Sequence, residues 1–563
     1  MGILRKIGHG LGWLASAALL APVLALVPAA LLDRGPGGAI RPTIFPAGLA
    51  ASDPFLWDSA RNSLGNAAVV ALGSLVLGVC LARIVARWQF WGRRPLSAAC
   101  FAAVAVPPAC VALGLRLLFG PSGPWHAAWA QFAAQVGLDP HAWAWVALGW
   151  VGLTGGVPLV GLVTARALVR VAPEWEDAAR LAGAGRWRIW RQVVRPMVRA
   201  EVARVVGLVF GLVLVEPAGP LLLGLRRTLA FQIVETTLRP GPAPRVALLA
   251  LAALGYSLLV HGALQWWGGE PAPLATRALA RRERAGHLRA PVFALVVTFI
   301  SLLVWLPVAG LFGSALTPPP SDSVGGMRLT LAAFPPLARD AEVRRLAAHS
   351  VALGAAVVAF DLLLARALRG RKGGSFLAEW PEAVPPLVLG VGALVLPDVL
   401  RIAADLARGP GRLCLRTAAE LFDPYRTPGV LLFVAVAALS LPRLTRRAFS
   451  ERAGARDAAL QLGATVGKAG RLAADRCWRE RFGPLLLTFG LAATNLAPAL
   501  VLVPTGESRT VTPGLLILAG RPGEGLHRAA ALGACLVALN VVAFALAEAP
   551  ASRLERPRDD AVY

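Results

Sequence analysis

Charge is scarce in this chain. Only 16% of its 563 residues are Asp, Glu, Lys or Arg, against about 25% in a typical soluble domain. Lysine occurs only at Lys6, Lys372 and Lys468. None of the three stands in G-x-x-x-x-G-K-[ST], so a phosphate-cradling loop of that type is excluded and any nucleotide energy must come from outside the chain. The six cysteines (Cys80, Cys100, Cys110, Cys414, Cys477 and Cys535) form no C-x-x-C pair. Most lie in apolar runs and read as small apolar side chains, with no metal or disulfide pattern. The seven histidines are scattered, without H-E-x-x-H or another ligand spacing. No acid–base or nucleophile constellation is visible, so neither an enzyme nor a cofactor is expected.

What is abundant is apolar sequence. Hydrophobic residues make up 56% of the chain and the mean hydropathy is +0.61. The run from Leu11 to Leu32 has no charge in 22 positions, and a bilayer core needs roughly 20 apolar residues per helix. The fold class expected is an all-α polytopic membrane protein. About twelve transmembrane helices are expected, near 11–32, 64–86, 98–119, 142–166, 203–224, 244–267, 291–316, 348–368, 382–406, 429–444, 484–504 and 527–548. Arg5 and Lys6 ahead of the first run imitate a signal peptide. That run is long enough to span, so an uncleaved first helix is expected.

The basic excess, 57 Lys and Arg against 32 Asp and Glu, gives +25. In a soluble protein this would suggest nucleic acid. Here the charges sit in short loops, where the positive-inside rule explains them and no nucleic-acid partner is expected. Arg5 and Lys6, then Arg83, Arg87, Arg93 and Arg94, then nine Arg from Arg166 to Arg204, then Arg277, Arg281, Arg282, Arg284 and Arg289 mark one side. Gly120 to His141 has no Lys or Arg. Both termini are therefore expected in the cytoplasm. The loop with Arg226, Arg227, Arg239 and Arg245 breaks the pattern, because it should lie outside and is basic.

The sequence also repeats itself. Ala105 to Leu115 (AVPPACVALGL) pairs with Ala383 to Ala393 (AVPPLVLGVGA) at an offset of 278, and Asp177 to Ala184 (DAARLAGA) with Asp457 to Ala464 (DAALQLGA) at 280. Asn62 to Gly78 resembles His349 to Ala365 at 287. Three matches in one order at nearly one offset imply two parallel six-helix units, related by an axis along the membrane normal. The expected division is a unit over 1–268, a cytoplasmic linker over 269–290 and a unit over 291–563.

Between two spans lies a short basic segment, Glu176 to Pro196 (EDAARLAGAGRWRIWRQVVRP). Asp177 suits the first turn of a helix. Ala178 and Ala179 are small enough to let another surface approach, and Gly183 and Gly185 permit a sharp turn. Trp187, Trp190, Val194 and Met197 then form one apolar stripe at helical spacing, and Pro196 is expected to end that second helix. Arg186, Arg188, Arg191 and Arg195 fill the other faces. A lipid-binding interfacial helix would explain the Arg and Trp residues. It would not explain the small-residue step or the second copy.

The pattern resembles the E-A-A-x-x-x-G loop, followed nine residues later by I-x-L-P, of permease subunits of binding-protein-dependent ABC importers (type I). Asp177, Ala178, Ala179, Gly183, Val193 and Pro196 fall at the family's spacing; Arg195 stands where the family has Leu. In the second copy Asp457, Ala458, Ala459 and Gly463 fit, while Ala473, Asp475 and Arg476 depart from the distal part. The fused two-unit form resembles ferric-iron ABC transporter permeases, and less closely the thiamine and aminoethylphosphonate systems. The resemblance implies coupling loops over 174–198 and 451–483 seated on a cytoplasmic ABC ATPase dimer. It also implies a periplasmic solute-binding protein at the outer face, membrane lipid around the bundle, and a place in the bacterial inner membrane.

Polar residues within spans are candidates for a pathway. Glu216 and Asn495 lie in corresponding fifth spans, beside Pro217 and Pro498. Asp361, Asp398, Arg401, Arg116 and Asn540 also qualify. Asp398 and Arg401 are spaced to neutralise each other, and Asn540 to bond across helices. A secondary transporter driven by an ion gradient could also use a duplicated six-helix unit, but it would not need matched D-A-A-x-x-x-G loops.

Overall fold

The computed structural model describes residues 20–34, 40–42, 53–238, 243–270, 283–317, 329–367, 383–423, 460–465, 485–503 and 509–554. The expected span at 429–444, most of the linker, the segment 473–476, and Asp457, Ala458 and Ala459 lie outside the described residues. In chain order, α1 (Leu20–Leu31) leads into a small hairpin, β1 (Leu32–Arg34) and β2 (Ile40–Pro42). Next come α2 (Pro54–Arg87), β3 (Trp88–Gln89), α3 (Arg93–Ala102), α4 (Pro108–Phe119), α5 (His126–Val136) and α6 (Trp143–Leu168). They are followed by α7 (Pro173–Leu181), α8 (Arg186–Ile189), α9 (Arg195–Leu214), α10 (Ala218–Leu223), α11 (Leu229–Leu238) and α12 (Ala243–Gly268). β4 (Glu283–Arg284) precedes α13 (Arg289–Leu316), α14 (Phe334–Arg339), α15 (Ala341–Ala367), α16 (Pro386–Leu406) and α17 (Pro410–Leu421). The last elements are α18 (485–493), α19 (Ala497–Leu502), α20 (Val511–Gly520) and α21 (Gly525–Leu554).

The protein is a polytopic all-α membrane protein. Among the described residues eight helices are long and apolar enough to cross a membrane, and nine if the pair Arg93–Ala105 and Pro108–Phe119 counts as one span. The difference from twelve has local causes. The expected span at 98–119 bends by 102° at its middle. There Val106 and Pro107 are extended, at ψ 122° and 135°, because a residue before proline is steered out of the helical region. The part beyond the bend is 12 residues long, or about 18 Å, too short to cross alone. The expected span at 484–504 is likewise interrupted, with α18 ending just before Asn495 and α19 only six residues long. Conversely, α2 begins ten residues before the expected boundary. Asp53 Oδ1 accepts the Phe55 N–H at 3.0 Å and Pro54 occupies the first turn, which together start the helix early.

Small residues set the packing. A Cβ at Gly78 of α2 would lie 2.9 Å from Val160 of α6, and one at Gly152 would lie 2.8 Å from Val70, so these two helices touch at backbone distance. Behind them the span Arg186–Leu223 is the most enclosed, 72% of its apolar window being buried, against 28% for Arg289–Leu316. That outer helix, α13, lies against α4. A Cβ at Gly114 would collide with the Pro307 carbonyl, and Trp305 Nε1 donates to the Ala99 carbonyl at 2.8 Å. The same arrangement recurs 278 residues on, where a Cβ at Gly392 of α16 would collide with the Pro22 carbonyl of α1. The leading helix of each sequence copy therefore packs on the V-P-P helix of the other.

The two ends of the bundle differ in charge chemistry. One end gathers Arg83, Arg87, the segment 172–196 and the parallel pair β3–β4. At the other end Arg227 lies 3.6 Å from Asp58, and Arg245 lies 3.8 Å from Asp53. Two of the four arginines that broke the loop-charge pattern are thus paired with acids at the start of α2.

Candidate functional site

The segment 172–196 is built as two short helices around a glycine turn. Pro173 opens α7, and Glu174 and Glu176 occupy its first turn, where carboxylates complement the exposed N–H groups. Gly183 ends it with φ +78°. The Gly183 N–H bonds the Arg180 carbonyl at 2.9 Å and the Ala184 N–H bonds the Ala179 carbonyl at 3.0 Å. This is the paired C-terminal closure that needs a left-handed residue. Asp177, Ala178 and Gly183 are exposed and Ala179 is half-buried. A Cβ at Gly183 or Gly185 would meet nothing within 4 Å among the described residues, so the turn faces away from them.

Three large apolar side chains stand out from this charged loop: Leu181, 91% exposed, Trp187, 68%, and Trp175, 60%. Trp187, expected on one apolar stripe with Trp190, Val194 and Met197, is turned away from the side on which those three are buried or half-buried. The buried face is Ile189 and Val194, with Trp190, Val193 and Met197 half-buried. The cause is a π-helical turn over Trp190–Val194, in which the Arg195 N–H reaches back to the Trp190 carbonyl. A π turn adds a residue to the helix and shifts the phase of what precedes it. Pro196 also corrects an expectation. It does not end the helix but sits in the first turn of α9, and the chain continues helically from Arg186 to Leu214.

Residues outside the motif hold the loop. Arg83 and Arg87, one turn apart on α2, face it together. The Arg83 guanidinium lies 4.0 Å from the centre of the Trp190 ring, and Arg87 forms an ion pair with Glu176. Both members of that pair are largely buried, at 20% and 12% side-chain exposure. On the outer side Arg180 meets Asp177 at 3.3 Å and Glu283 of β4 at 3.4 Å, with Arg186 3.8 Å from Glu283. These exposed pairs are each worth at most about 1 kcal/mol and act as positioning contacts. Neither Glu176 nor Arg87 carried a sequence signal beyond its charge.

Of the second loop the structure describes 460–465. Gly463 has φ +83° and its N–H bonds the Leu460 carbonyl at 3.0 Å, matching Gly183 and Arg180 at the 280-residue offset. Leu462 is 88% exposed.

Glu216 and Asn495 stand at equivalent breaks. Glu216 lies between α9 and α10, half-buried, and its Oε1 accepts the Ala218 N–H at 3.2 Å. Asn495 lies between α18 and α19, also half-buried. Asp398 and Arg401 do pair, at 2.9 Å, and Arg401 reaches Asp423 at 2.5 Å as well. Asn540 Nδ2 donates across helices to Thr494 Oγ1 at 3.2 Å. Asp361 is fully buried, and neither of its oxygens has a hydrogen-bond partner among the described residues.

The described residues thus form a bundle of apolar spans with an exposed glycine-turned loop at its basic end. Residues 74–268 match the family model described as binding-protein-dependent transport system inner membrane component. The matched region runs from within α2 to the end of α12 and contains the whole loop. The chain is similar to the thiamine transport system permease protein of Salmonella typhimurium, at 26% identity over 303 residues, covering 53% of this chain and 55% of that one. It is similar to the sulfate transport system permease protein of Escherichia coli at 29% identity over 150 residues, covering 27% and 52%. A sulfate transport system permease protein of Synechocystis is 31% identical over 159 residues, covering 27% and 53%. The chain spans about half the length of the relatives it matches.

Proposed function

We propose that the chain is the membrane-spanning permease of a binding-protein-dependent ABC importer. Two units, 1–268 and 291–563, joined by the linker 269–290, would form one pathway with both termini in the cytoplasm. Residues 174–198 and 451–483 are the coupling loops. A separate ATPase dimer grips them, and its closure on ATP tilts the spans between inward-open and outward-open packings. A solute-binding protein delivers cargo at the opposite face. The observation that carries this reading is the exposed turn at Asp177–Gly183, with Leu181 and Trp187 turned outward, inside a region that matches the permease family.

The cargo is a small solute. The fused two-unit layout points to ferric iron, whereas the relatives are named for thiamine and sulfate. Competitive uptake of labelled thiamine, sulfate and ferric iron into cells expressing the whole system separates these. The direct test of the reading is co-purification of an ATPase with the intact chain, abolished by deleting 174–196. Uptake that persists after such a deletion and collapses with the proton gradient would favour the ion-driven alternative.

A further inference from the structure

α2 makes contacts at both of its ends that the loop motif does not account for. It is a single helix of 34 residues, about 50 Å long at 1.5 Å per residue. At the basic end Arg83 covers Trp190 and Arg87 pairs with Glu176, so one face of α2 holds both helices of the coupling loop. Near the other end Asn62 Nδ2 donates to the Arg227 carbonyl at 3.1 Å. Ser63, 4% exposed, accepts the Leu229 N–H on its Oγ at 2.8 Å. The segment 225–229 joins α10 to α11 just beyond the Glu216 break. It is tied internally by Gln232 Nε2 on the Arg226 carbonyl at 3.1 Å and the Phe231 N–H on Thr228 Oγ1 at 3.3 Å. It therefore moves as a block with whatever holds it.

The far contact is duplicated. In α15, His349 Nδ1 lies 3.2 Å from the Arg509 carbonyl, and Ser350 Oγ accepts the Val511 N–H at 2.9 Å. Ser63 and Ser350 are 287 residues apart, and Leu229 and Val511 are 282 apart. A chance hydrogen bond would not recur in both copies on the same backbone groups. The partners also suit the purpose, since a buried N–H that loses its acceptor is costly and the two groups stay together.

We infer that α2 is a strut that ties the outer segment 225–229 to the coupling loop, with Arg83 and Arg87 as positioning residues at one end and Asn62 and Ser63 at the other. Displacement of α7 then moves α10–α11 at the opposite face through a rigid helix. Its role in transport rests on the importer reading; the mechanical link does not. Hydrogen exchange on the full-length chain in nanodiscs tests the link without cargo or ATPase. Ser63→Ala should speed exchange at Leu229 about tenfold. Arg87→Glu, roughly 36 Å away along the helix, should speed exchange over 225–231 about threefold and leave 509–513 unchanged. Arg87→Glu combined with Glu176→Arg should return 225–231 to the wild-type rate. Faster exchange confined to 170–196, or equal acceleration everywhere, would overturn the strut. Adding the purified ATPase with ADP and vanadate should alter exchange at 225–231 in the wild type and not in Arg87→Glu. No change there in the wild type, with the first results intact, would refute the importer reading and leave the strut standing.

Discussion

Gly183 concentrates the functional argument in one backbone dihedral. A non-glycine residue at φ +78° costs about 1–2 kcal/mol, and the open space around it means that the cost falls on the turn and not on bundle packing. Gly183→Leu is therefore expected to insert normally, hydrolyse ATP with its partner and lose most uptake, as read from transport per ATP in proteoliposomes. Gly463 has the same geometry, but the distal part of its motif is degenerate, so Gly463→Leu should lose less. A second contrast separates buried from surface charge. Arg87→Ala leaves Glu176, in a largely buried site, with only Arg180 at 4.0 Å and should destabilise by about 2 kcal/mol. Arg186→Ala, on the surface, should stay within about 0.5 kcal/mol; thermal unfolding of both in one detergent compares them. At this scale the turn at Gly183 was legible in the sequence, because a positive φ calls for glycine. The sequence did not reveal Glu176, Arg83 or Arg87, whose meaning depends on α2 ending beside α7.

At the scale of elements, local breaks explain what hydropathy could not resolve. Apolar runs marked where spans lie, and α6, α12 and α13 fall within a few residues of expectation because they are uninterrupted. The run at 98–119 has the same composition, but Pro107 and Pro108 turn it through 102°. Hydropathy is blind to that, although the V-P-P tripeptide carried the signal. The stripe through Trp187 failed for a related reason. A period of 3.6 cannot be carried across a π turn. Pro196 has no N–H to give to the helix, and the π turn lies just before it. Pro196→Ala should let this turn relax to regular α-helix and rotate Leu181 and Trp187 relative to α9. The expected result is an unchanged or higher melting temperature with a clear loss of ATPase stimulation.

For the whole molecule, the exchange of leading helices between the two sequence copies makes one body of them. α13 on α4 and α1 on α16 meet through glycines with no room for a side chain. Gly114→Val or Gly392→Val should destabilise by the roughly 1–3 kcal/mol typical of overpacking, or more, and so lower the melting temperature. Gly313→Val, on the same helix as Pro307 but facing open space, should not. The repeat itself was legible in the sequence as three ordered matches, while the exchanged packing was not, because no single-copy pattern encodes which neighbour a helix chooses.

The central claim is that the turn at 177–183 is the surface by which a separate ATPase drives this body. A photo-crosslinking residue in place of Leu181, 91% exposed beside Gly183, reports on it most directly in intact cells expressing the full transport system. A covalent adduct with the ATPase subunit, strengthened by vanadate trapping, is the expected result. Adducts only with lipid or with an extracytoplasmic protein would contradict it.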